Sequence, residues 1–272
     1  MLTPGEVRAL LVSHGLAPHK SFGQNFVVDP NTVRKVARDA EVGAGDLVVE
    51  VGPGLGSLTL ALREAGARVI AVEIDAGLVR ALRKVVGDDP EVTVVHDDAL
   101  GVDFPELVGG QPAMFVSNLP YNVATPVLLT ALRSGAFGRY LVMVQREVGE
   151  RWTAGVGDPS YGAVSIKIAA LASAEIAARV SRNAFYPVPN VDSVTVRLTR
   201  HEQPVTADVD ALFRLVDAGF AQRRKRLRNT LADSGHTPAA VEAALTQTGL
   251  PAGARAEELQ LSEWVRLAGA LA

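Results

Sequence analysis

Val48-Val49-Glu50-Val51-Gly52-Pro53-Gly54-Leu55-Gly56-Ser57 precedes an apolar helical pattern and then Val69-Ile70-Ala71-Val72-Glu73-Ile74-Asp75. The pattern predicts a buried strand, a glycine turn, a helix and a second buried strand that ends in an acid. This order of elements is typical of a nucleotide-binding unit. Because glycine has no Cβ, the three glycines allow the backbone to turn sharply and to come close to a ligand.

The spacing of the glycines indicates what kind of nucleotide binds. Dinucleotide sites use G-x-G-x-x-G and hold a pyrophosphate at the helix N-terminus. Here the glycines are Gly52, Gly54 and Gly56, and Pro53 removes a backbone donor, which suits a ligand without pyrophosphate. Glu73 lies at a predicted strand end, where a carboxylate can accept from both ribose hydroxyls. S-adenosylmethionine has a ribose, a sulfonium and no phosphate, so we predict an S-adenosylmethionine site. The alternative is an ordinary tight turn with a surface glutamate.

Composition limits the other possibilities. The chain of 272 residues is 48% hydrophobic, which suits one large or two smaller domains and argues against disorder. It has no cysteine, and its five histidines show no metal-ligand spacing, so we predict no metal site. There is no signal-peptide pattern and no apolar run of about 18 residues, so we expect a cytoplasmic protein without membrane contact. The net charge of −3 by itself argues against nonspecific nucleic-acid binding and points to no dimer surface, so we expect a monomer.

Strand and helix patterns alternate through the centre of the chain. Buried-strand patterns occupy 47–51, 69–73, 92–95, 113–117 and 140–145. Helical patterns occupy 57–65, 76–86 and 124–133. This alternation predicts an α/β, Rossmann-like fold with a mostly parallel sheet covered on both faces. Two further strands, at about 174–180 and 191–198, are expected to close the sheet as an antiparallel edge.

The two ends of the chain differ from its centre. Capped helices are predicted at 3–14 and 30–40, and the polar segment 18–29 between them is too irregular for a strand. After a linker at 201–204 the pattern is helical only, at 208–220, 223–232, 238–247 and 262–271. We therefore predict two domains, an α/β domain at 1–202 and a small all-helical domain at 203–272.

Polar side chains follow three of the predicted strands. They are Glu73, Asp97 with Asp98, and Ser117 with Asn118. Ligands of parallel sheets bind at the carboxyl ends of the strands, so these side chains are expected to line one edge together. For the two aspartates alone, a turn or a helix cap is the simpler interpretation.

The segment Asn118-Leu119-Pro120-Tyr121 follows a predicted buried strand and suggests a reaction at an adenine amine. This amine is a poor nucleophile because its lone pair is delocalised into the ring. Hydrogen bonds from its N–H groups to the Asn118 side-chain oxygen and the Leu119 carbonyl favour a pyramidal nitrogen with a free lone pair. Tyr121 can stack on the base. Catalysis then depends on positioning and electrostatics rather than on a strong base. The alternative is a proline turn with Tyr121 in the core.

Two other segments carry candidate RNA contacts. Phe185 and Tyr186 lie in a proline-rich loop, where either is a packing aromatic or a second stacking face for a base. Five cationic side chains cluster near 222–229, at Arg223, Arg224, Lys225, Arg226 and Arg228. Such a run is usually a solvated helix face. Because the rest of the chain is mildly acidic, we interpret this local excess as a phosphate-contact patch.

With these residues assembled, the chain resembles the ribosomal RNA adenine dimethyltransferases, from Lys20 to about Leu231. The resemblance depends on several motifs together: Phe22-Gly23-Gln24-Asn25-Phe26, Glu50-Val51-Gly52-Pro53-Gly54, Val72-Glu73-Ile74-Asp75, Asp98-Ala99-Leu100, Asn118-Leu119-Pro120-Tyr121-Asn122, Gln145-Arg146-Glu147, Tyr161-Gly162, Val191-Asp192-Ser193 and Arg223-Arg224-Lys225. Within the family the chain is most similar to the bacterial small-subunit branch. That branch modifies two adjacent adenosines in a hairpin loop near the 3′ end of 16S rRNA.

The resemblance implies roles for individual residues. Cofactor contacts are expected at Asn25, Val27, Gly52, Gly54, Glu73, Asp98 and Asn118. Asp98 would accept from the adenine amine of the cofactor. Asn118, Leu119 and Tyr121 match the catalytic motif of the family, and Phe185 matches its second base-stacking aromatic. The family often has leucine where Val27 stands, which affects the fit more than the role. The helical tail matches a small domain that helps to engage ribosomal RNA, and a role in subunit biogenesis is expected.

Three rival interpretations stay open at this point. One is a resistance methylase that acts on a single adenine of large-subunit RNA. Another is an assembly factor that binds immature subunits, with methylation secondary or absent. The third is a nicotinamide dehydrogenase, which the glycine spacing disfavours.

Overall fold

The computed structural model describes residues 1–17, 24–222, 225–232 and 235–272. These residues form two compact units. The first unit combines residues 1–149 with 175–200, and the second combines 150–174 with 201–272. Residues 150–174, which the predicted boundary assigns to the α/β domain, thus group with the C-terminal helices. The roles of the two predicted domains stay predictions.

A seven-stranded sheet forms the centre of the fold in the described part of the chain. Its strands are β2 (Leu47–Val51), β3 (Arg68–Glu73), β4 (Val92–His96), β5 (Ala113–Asn118), β6 (Phe137–Gln145), β7 (Ala172–Val180) and β9 (Ser193–Arg200), whereas β1 (Phe26–Val27) and β8 (Phe185–Tyr186) form a separate two-stranded sheet. The sheet order is β4-β3-β2-β5-β6-β9-β7. The first five strands of this order pair in parallel, and β9 pairs antiparallel with β6. The predicted α/β fold with an antiparallel edge is confirmed.

Most helices match their predicted spans within one or two residues, but the helix predicted at 223–232 begins at Leu227, and the helix Phe104–Val108 was not predicted. In the first unit they are α1 (Pro4–Ser13), α2 (Pro30–Asp39), α3 (Ser57–Glu64), α4 (Ala76–Val86), α5 (Phe104–Val108) and α6 (Ala124–Ser134). Helix α7 (Arg146–Thr153) leads into the second unit, which holds α8 (Ala163–Leu171), α9 (Val209–Phe220), α10 (Leu227–Ala232), α11 (Pro238–Gln247) and α12 (Leu261–Leu271). Side-chain caps fix several starts: Asp29 accepts from the N–H groups of Asn31 and Thr32, and Thr3 forms a capping box with Glu6.

One local prediction is wrong. Part of the segment 18–29, judged too irregular for a strand, forms β1, which pairs antiparallel with β8. The pairing is extended by the Val28 N–H, which donates to the Ala184 carbonyl at 2.8 Å. Two residues are too few to show the alternating pattern of a strand, and the partner strand is distant in sequence. Residues 18–23 of this segment lie outside the described residues.

The core of the first unit consists of buried strands packed against the helices. All five residues of β2 are buried, as expected for a central parallel strand with both faces covered. Phe104, Phe115, Phe137 and Tyr140 pack edge to face at centroid distances of 5.4 to 6.1 Å, apart from the tilted Phe115–Tyr140 pair. This packing fixes β5 and therefore the position of the residues that follow it.

The second unit has its own buried centre. Trp264 is fully buried and stacks on Phe220 at a centroid distance of 6.0 Å. The Tyr161 hydroxyl donates to the Leu259 carbonyl at 2.7 Å. Burial raises the pKa of Tyr161 to about 12, so the hydroxyl remains a donor at physiological pH. No helix in the described ranges is long and apolar enough to cross a membrane.

Candidate active site

The glycine turn after β2 requires glycine at each of its three positions. Gly52, Gly54 and Gly56 have φ values of +67°, +59° and +90°. A Cβ at Gly52 would lie 3.0 Å from Pro120 Cδ, and a Cβ at Gly54 would lie 2.9 Å from the Phe26 ring. A Cβ at Gly56 would lie 2.6 Å from Leu82 of α4. The first two glycines therefore form the wall of the site, whereas the third allows close packing of the helices behind it.

Glu73 lies at the end of β3 with its carboxylate held from both sides. The Gly54 N–H donates to Oε2 and the Asp75 N–H donates to Oε1, each at 3.1 Å. The residue is only 6% exposed. Burial raises the pKa of Glu73, and the two backbone donors oppose this rise by stabilising the ionised form. Each oxygen keeps lone pairs for another donor, so the arrangement suits a ligand with two adjacent hydroxyls.

Glu50 is a second buried acid in the same wall. It is 1% exposed, and the Thr59 hydroxyl donates to its Oε2 at 2.6 Å. Burial raises the pKa of Glu50 to about 8, and the nearby Glu73 carboxylate adds to the rise. Glu50 is therefore protonated at neutral pH, whereas Glu73 also has backbone donors that favour its ionised form.

The protonation of Glu50 predicts a pH-dependent stability. Between about pH 4.5 and pH 8 this carboxyl is ionised in the unfolded chain but protonated in the folded one, so the free energy of unfolding falls as pH rises. The slope approaches about 1.4 kcal/mol per pH unit. We expect Glu50→Gln to remove this loss. In urea unfolding, the stability of the variant relative to the parent should therefore increase from pH 5 to pH 8. An exposed Glu64→Gln variant is the control, and parallel profiles for parent and Glu50→Gln would contradict the assignment.

Asp98 lies two residues after the end of β4, at the same edge. Its Oδ1 accepts from the Leu100 N–H at 2.9 Å, and its own N–H donates to Asp97 Oδ1. The residue is exposed, so the second carboxylate oxygen can accept from the amine of a ligand. Two apolar residues that follow β3 and β4 are unusually exposed, Ile74 by 63% and Leu100 by 44%. Sequence reasoning missed both as site residues, although Ile74 directly follows the strand-end acid Glu73 and Leu100 lies two residues after Asp98.

Asn118 is the last residue of β5, and only one of its two side-chain amide atoms has a hydrogen-bond partner among the described residues. Its Nδ2 donates to the Asn25 carbonyl at 3.3 Å. Its Oδ1 is buried and accepts no hydrogen bond from any described residue. A buried polar atom without a partner costs free energy, so it indicates a site that a ligand completes. The following residue, Leu119, is fixed by its N–H, which donates to the Met143 carbonyl at 3.1 Å.

These groups line a single cavity of about 630 Å³ in the first unit. That volume lies in the usual range for small-molecule sites. The cavity brings together nine of the predicted site residues: Asn25, Val27, Gly52, Gly54, Glu73, Asp98, Asn118, Leu119 and Tyr121. It also contains Glu50, Ile74 and Leu100. The expectation that Glu73, Asp98 and Asn118 share one edge of the sheet is confirmed.

Comparison with known proteins identifies the family. A family model described as "Ribosomal RNA adenine dimethylase" matches residues 15–272. The chain belongs to this family. It is 50% identical to a protein named "Ribosomal RNA small subunit methyltransferase A" from Leifsonia xyli, over 98% of each chain. It is 49% identical to a protein of the same name from Streptomyces coelicolor, over 98% of this chain and 96% of that one.

Solved structures agree with the family fold. The crystal structure of the 23S rRNA methyltransferase ErmE superposes with a TM-score of 0.67 at 27% identity, over 91% of this chain and 99% of that one. A dimethyladenosine transferase from Plasmodium falciparum superposes with a TM-score of 0.73 over 88% and 94% of the two chains. At 24% identity the second similarity shows the fold alone.

Tyr121 is oriented by a residue that the sequence indicates only as part of a family motif. The Tyr121 hydroxyl and Ser193 Oγ, at the start of β9, are 2.9 Å apart. Ser193 is buried. Burial raises the pKa of Tyr121, and the hydrogen bond to Ser193 partly offsets this effect. The ring is therefore anchored at its polar end, while its body lines the cavity. The anchor was not visible in the sequence because β5 and β9 are separated by β6 in the sheet.

The anchoring of Tyr121 predicts a coupled pair of variants. We expect Tyr121→Phe and Ser193→Ala each to lower the rate constant of methyl transfer by about 10-fold, because each removes the hydrogen bond that orients the ring. The double variant should be no worse than the more impaired single variant, since both changes remove the same interaction. Single-turnover rates at saturating cofactor measure this cycle. Fully additive losses would show that the two residues act independently.

Phe185 lies in the core, whereas a base-stacking role requires a ring that lines the cavity. It is 1% exposed and packs in the core with neighbours that include Val27, Val180 and Ala184. It does not line the cavity. In this structure Phe185 is a packing residue, one of the two alternatives in its loop. Its pairing with Val27 across β1 and β8 drew the ring inward. The neighbouring Tyr186 is partly exposed and holds Arg8 over its ring at 5.0 Å.

The predicted RNA-contact cluster belongs to the second unit. Arg223 and Arg224 lie outside the described residues. Lys225 and Arg226 are exposed. Arg228 forms an ion pair of 2.8 Å with Glu242 of α11, in which both side chains are about half exposed. Such a pair contributes little to stability, so it does not commit Arg228 to a purely structural role.

Proposed function

We propose that this protein transfers methyl groups from S-adenosylmethionine to the N6 atoms of two adjacent adenosines in the 3′-terminal hairpin loop of small-subunit ribosomal RNA, and that it acts during subunit biogenesis. The observation that carries the proposal is Asn118, which lines the same cavity as Glu73 and whose buried Oδ1 lacks a described partner. Family membership supports the reaction. The names of the relatives at about 50% identity support the substrate.

The cavity fits S-adenosylmethionine by its hydrogen-bond acceptors and its apolar side chains. The Glu73 carboxylate would accept from the ribose hydroxyls, and Asp98 would accept from the adenine amine of the cofactor. The exposed apolar side chains of Ile74 and Leu100 would cover the adenine ring. Gly52 and Gly54 line the same cavity and would face the rest of the molecule. When bound, the cofactor supplies a methyl group on a positively charged sulfonium.

Asn118 and Leu119 would prepare the target amine. The Asn118 Oδ1 and the Leu119 carbonyl would each accept one N–H of the adenine amine, which withdraws the nitrogen lone pair from the ring and aims it at the methyl group. The Asn118 orientation is set by its Nδ2, which donates to the Asn25 carbonyl. Tyr121, anchored by Ser193, would stack on the base. The proton leaves readily once the nitrogen is alkylated, so no base of unusual pKa is required.

The degree of similarity favours the small-subunit branch of the family. The relatives named for the small ribosomal subunit are 49–50% identical over nearly the whole chain. The 23S rRNA methyltransferase ErmE is 27% identical. Moving an adenosine out of a hairpin loop also costs less free energy than moving one out of a helix, because a loop base is less strongly stacked.

The cluster Arg223, Arg224, Lys225, Arg226 and Arg228 is proposed to contact the phosphates of ribosomal RNA. We expect charge reversal at Arg223, Arg224 and Lys225 to weaken subunit binding and to reduce its salt dependence, by roughly 0.7–0.9 in the slope of log K for each phosphate that is no longer neutralised. Filter binding at several salt concentrations measures both quantities. Charge reversal at Lys35 and Arg38, exposed cations of α2, is the control. An unchanged affinity and slope would mean that the cluster is solvated and does not contact the RNA.

A substrate panel tests the proposed function. The purified protein is incubated with labelled S-adenosylmethionine and with unmodified small subunits, large subunits or naked 16S rRNA. The proposal predicts label in the small-subunit RNA. Label in large-subunit RNA would instead indicate a resistance methylase. No label with intact subunit binding would indicate an assembly factor, and Asn118 and Tyr121 would then be structural.

A further inference from the structure

A second, smaller cavity of about 250 Å³ lies in the first unit, apart from the site described above. Its lining consists of Arg146, Arg179, Val180, Ser181, Asp192 and Ser193, and we call it the arginine pocket. The predicted catalytic, cofactor-binding and RNA-binding residues do not contribute to it. The two arginines come from different parts of the chain, at the start of α7 and near the end of β7.

The walls of the arginine pocket are fixed by backbone hydrogen bonds. The Arg146 N–H donates to the Asp192 carbonyl at 3.0 Å, which joins the start of α7 to the segment before β9. The Asp192 carboxylate accepts from the Arg182 N–H at 3.0 Å. Ser181 caps the short 3₁₀ turn Arg182–Ala184 by accepting from the Asn183 N–H. The pocket is therefore built from several elements held in register, rather than from surface side chains alone.

The charges of the arginine pocket favour a singly charged anion. It contains two guanidinium groups and one carboxylate, so its lining has a net charge of +1. A guanidinium is a planar fork of donors that matches two oxygens of a phosphate. The Asp192 carboxylate would repel a doubly charged phosphate monoester more strongly than a phosphodiester, which carries one charge. The lining thus suits the phosphodiester of a nucleic-acid backbone.

The arginine pocket touches the catalytic cavity through one residue. Ser193 lines the pocket, and its Oγ is 2.9 Å from the Tyr121 hydroxyl. Tyr121 in turn lines the larger cavity. A ligand that spans both places needs a flat base at one end and a phosphate at the other, joined by a short linker. A nucleotide within an RNA strand has this construction.

We propose that the arginine pocket binds a backbone phosphate of the RNA substrate, next to the adenosine whose base enters the larger cavity. The proposal rests on the function proposed above and adds a phosphate subsite to it. Arg146 and Arg179 hold the phosphate, which sets the position of the strand relative to Tyr121. The subsite strengthens RNA binding and leaves the affinity for S-adenosylmethionine unchanged.

The test uses Arg146→Gln, Arg179→Gln and the double variant in the full chain, with Arg38→Gln as the control. Arg38 is an exposed arginine that lines neither cavity. We expect the double variant to raise the KM for the RNA substrate by about 10-fold or more, as the loss of a charged hydrogen bond predicts. The slope of log K against log salt should become less negative by about 0.7–0.9, the value for one neutralised phosphate. The Kd of S-adenosylmethionine and the values of Arg38→Gln should match the parent.

A conservative variant separates a phosphate contact from a folding defect. Arg179→Lys keeps the positive charge, so it should retain most of the salt slope while losing part of the affinity. An RNA KM and a salt slope that stay at the parent values in the double variant would overturn the proposal. Equal losses in Arg179→Lys and Arg179→Gln, together with a lowered melting temperature, would also overturn it in favour of a structural role. A parent protein that methylates no RNA would refute the proposed function itself, which is a distinct result.

Discussion

Replacement of Asn118 by alanine is expected to lower the rate constant of methyl transfer by about 100- to 1,000-fold, the usual cost of removing one preorganised polar group that stabilises a transition state. The buried Oδ1 has no described partner, and the Nδ2 donates to the Asn25 carbonyl, so the acceptor is fixed before the target arrives. Alanine removes the acceptor and leaves the amine nitrogen planar and unreactive. Single-turnover transfer to small subunits measures the loss.

The affinity for RNA should be nearly unaffected by Asn118→Ala. The side chain contributes one hydrogen bond to the base, whereas many phosphate contacts determine RNA affinity. Asn31→Ala, at an exposed position in the first turn of α2 in the same unit, is the matched control and should turn over at the parent rate. Retained turnover in Asn118→Ala would remove Asn118 from the catalytic residues and with it the main support for the proposed chemistry.

Replacement of Glu73 by alanine is expected to raise the Kd of S-adenosylmethionine by about 100-fold or more. A carboxylate that accepts two hydroxyl hydrogen bonds contributes about 1.5–3 kcal/mol for each of them. The change also leaves the N–H groups of Gly54 and Asp75 without their acceptor. Calorimetric titration of the cofactor measures the effect. Glu64→Ala is the control, because its exposed ion pair with Arg34 contributes little to stability.

Glu73→Ala and Asn118→Ala should differ in how their rates respond to the cofactor concentration. Glu73→Ala should regain much of its rate at high cofactor concentration, because binding is what it loses. Asn118→Ala should stay slow at any cofactor concentration, because it loses the acceptor that activates the target amine. An unchanged cofactor Kd in Glu73→Ala would mean that the carboxylate only braces the glycine turn.

Most of the fold could be predicted from local patterns. The strand at 47–51 and the helix at 76–86 were predicted with the bounds that the structure has. The central strands are continuous apolar runs, and the helices have a side-chain cap or glycine at one end, so local sequence determines them. Glu73, Asp98 and Asn118 were predicted to meet because the carboxyl ends of parallel strands share an edge.

The features that the sequence did not reveal depend on contacts between distant segments. Strand β1 exists because β8 pairs with it, and the buried position of Phe185 follows from the same pairing. Ser193 orients Tyr121 across 72 positions of chain. The helix α8 groups with the second unit although it precedes β7. None of these contacts leaves a periodic pattern in the sequence, since each depends on tertiary packing.

Among the rival interpretations, family membership excludes the nicotinamide dehydrogenase. A nicotinamide dehydrogenase would need a turn that accommodates pyrophosphate, and the turn at Gly52, Gly54 and Gly56 instead packs against Pro120, Phe26 and Leu82. The rRNA adenine dimethylase family accounts for both the turn and the motif that begins at Asn118. Enzyme and assembly factor are then distinguished by chemistry alone.

The most direct test of the central claim is to map the methylated nucleotides. Small subunits that lack the modification are treated with the purified protein and S-adenosylmethionine, and the 3′-terminal fragment of their RNA is analysed by mass spectrometry and primer extension. The account predicts two adjacent N6,N6-dimethyladenosines in the hairpin loop, four methyl groups in all, and none with Asn118→Ala. Methyl groups at another position, or an unmodified hairpin from an active parent protein, would contradict it.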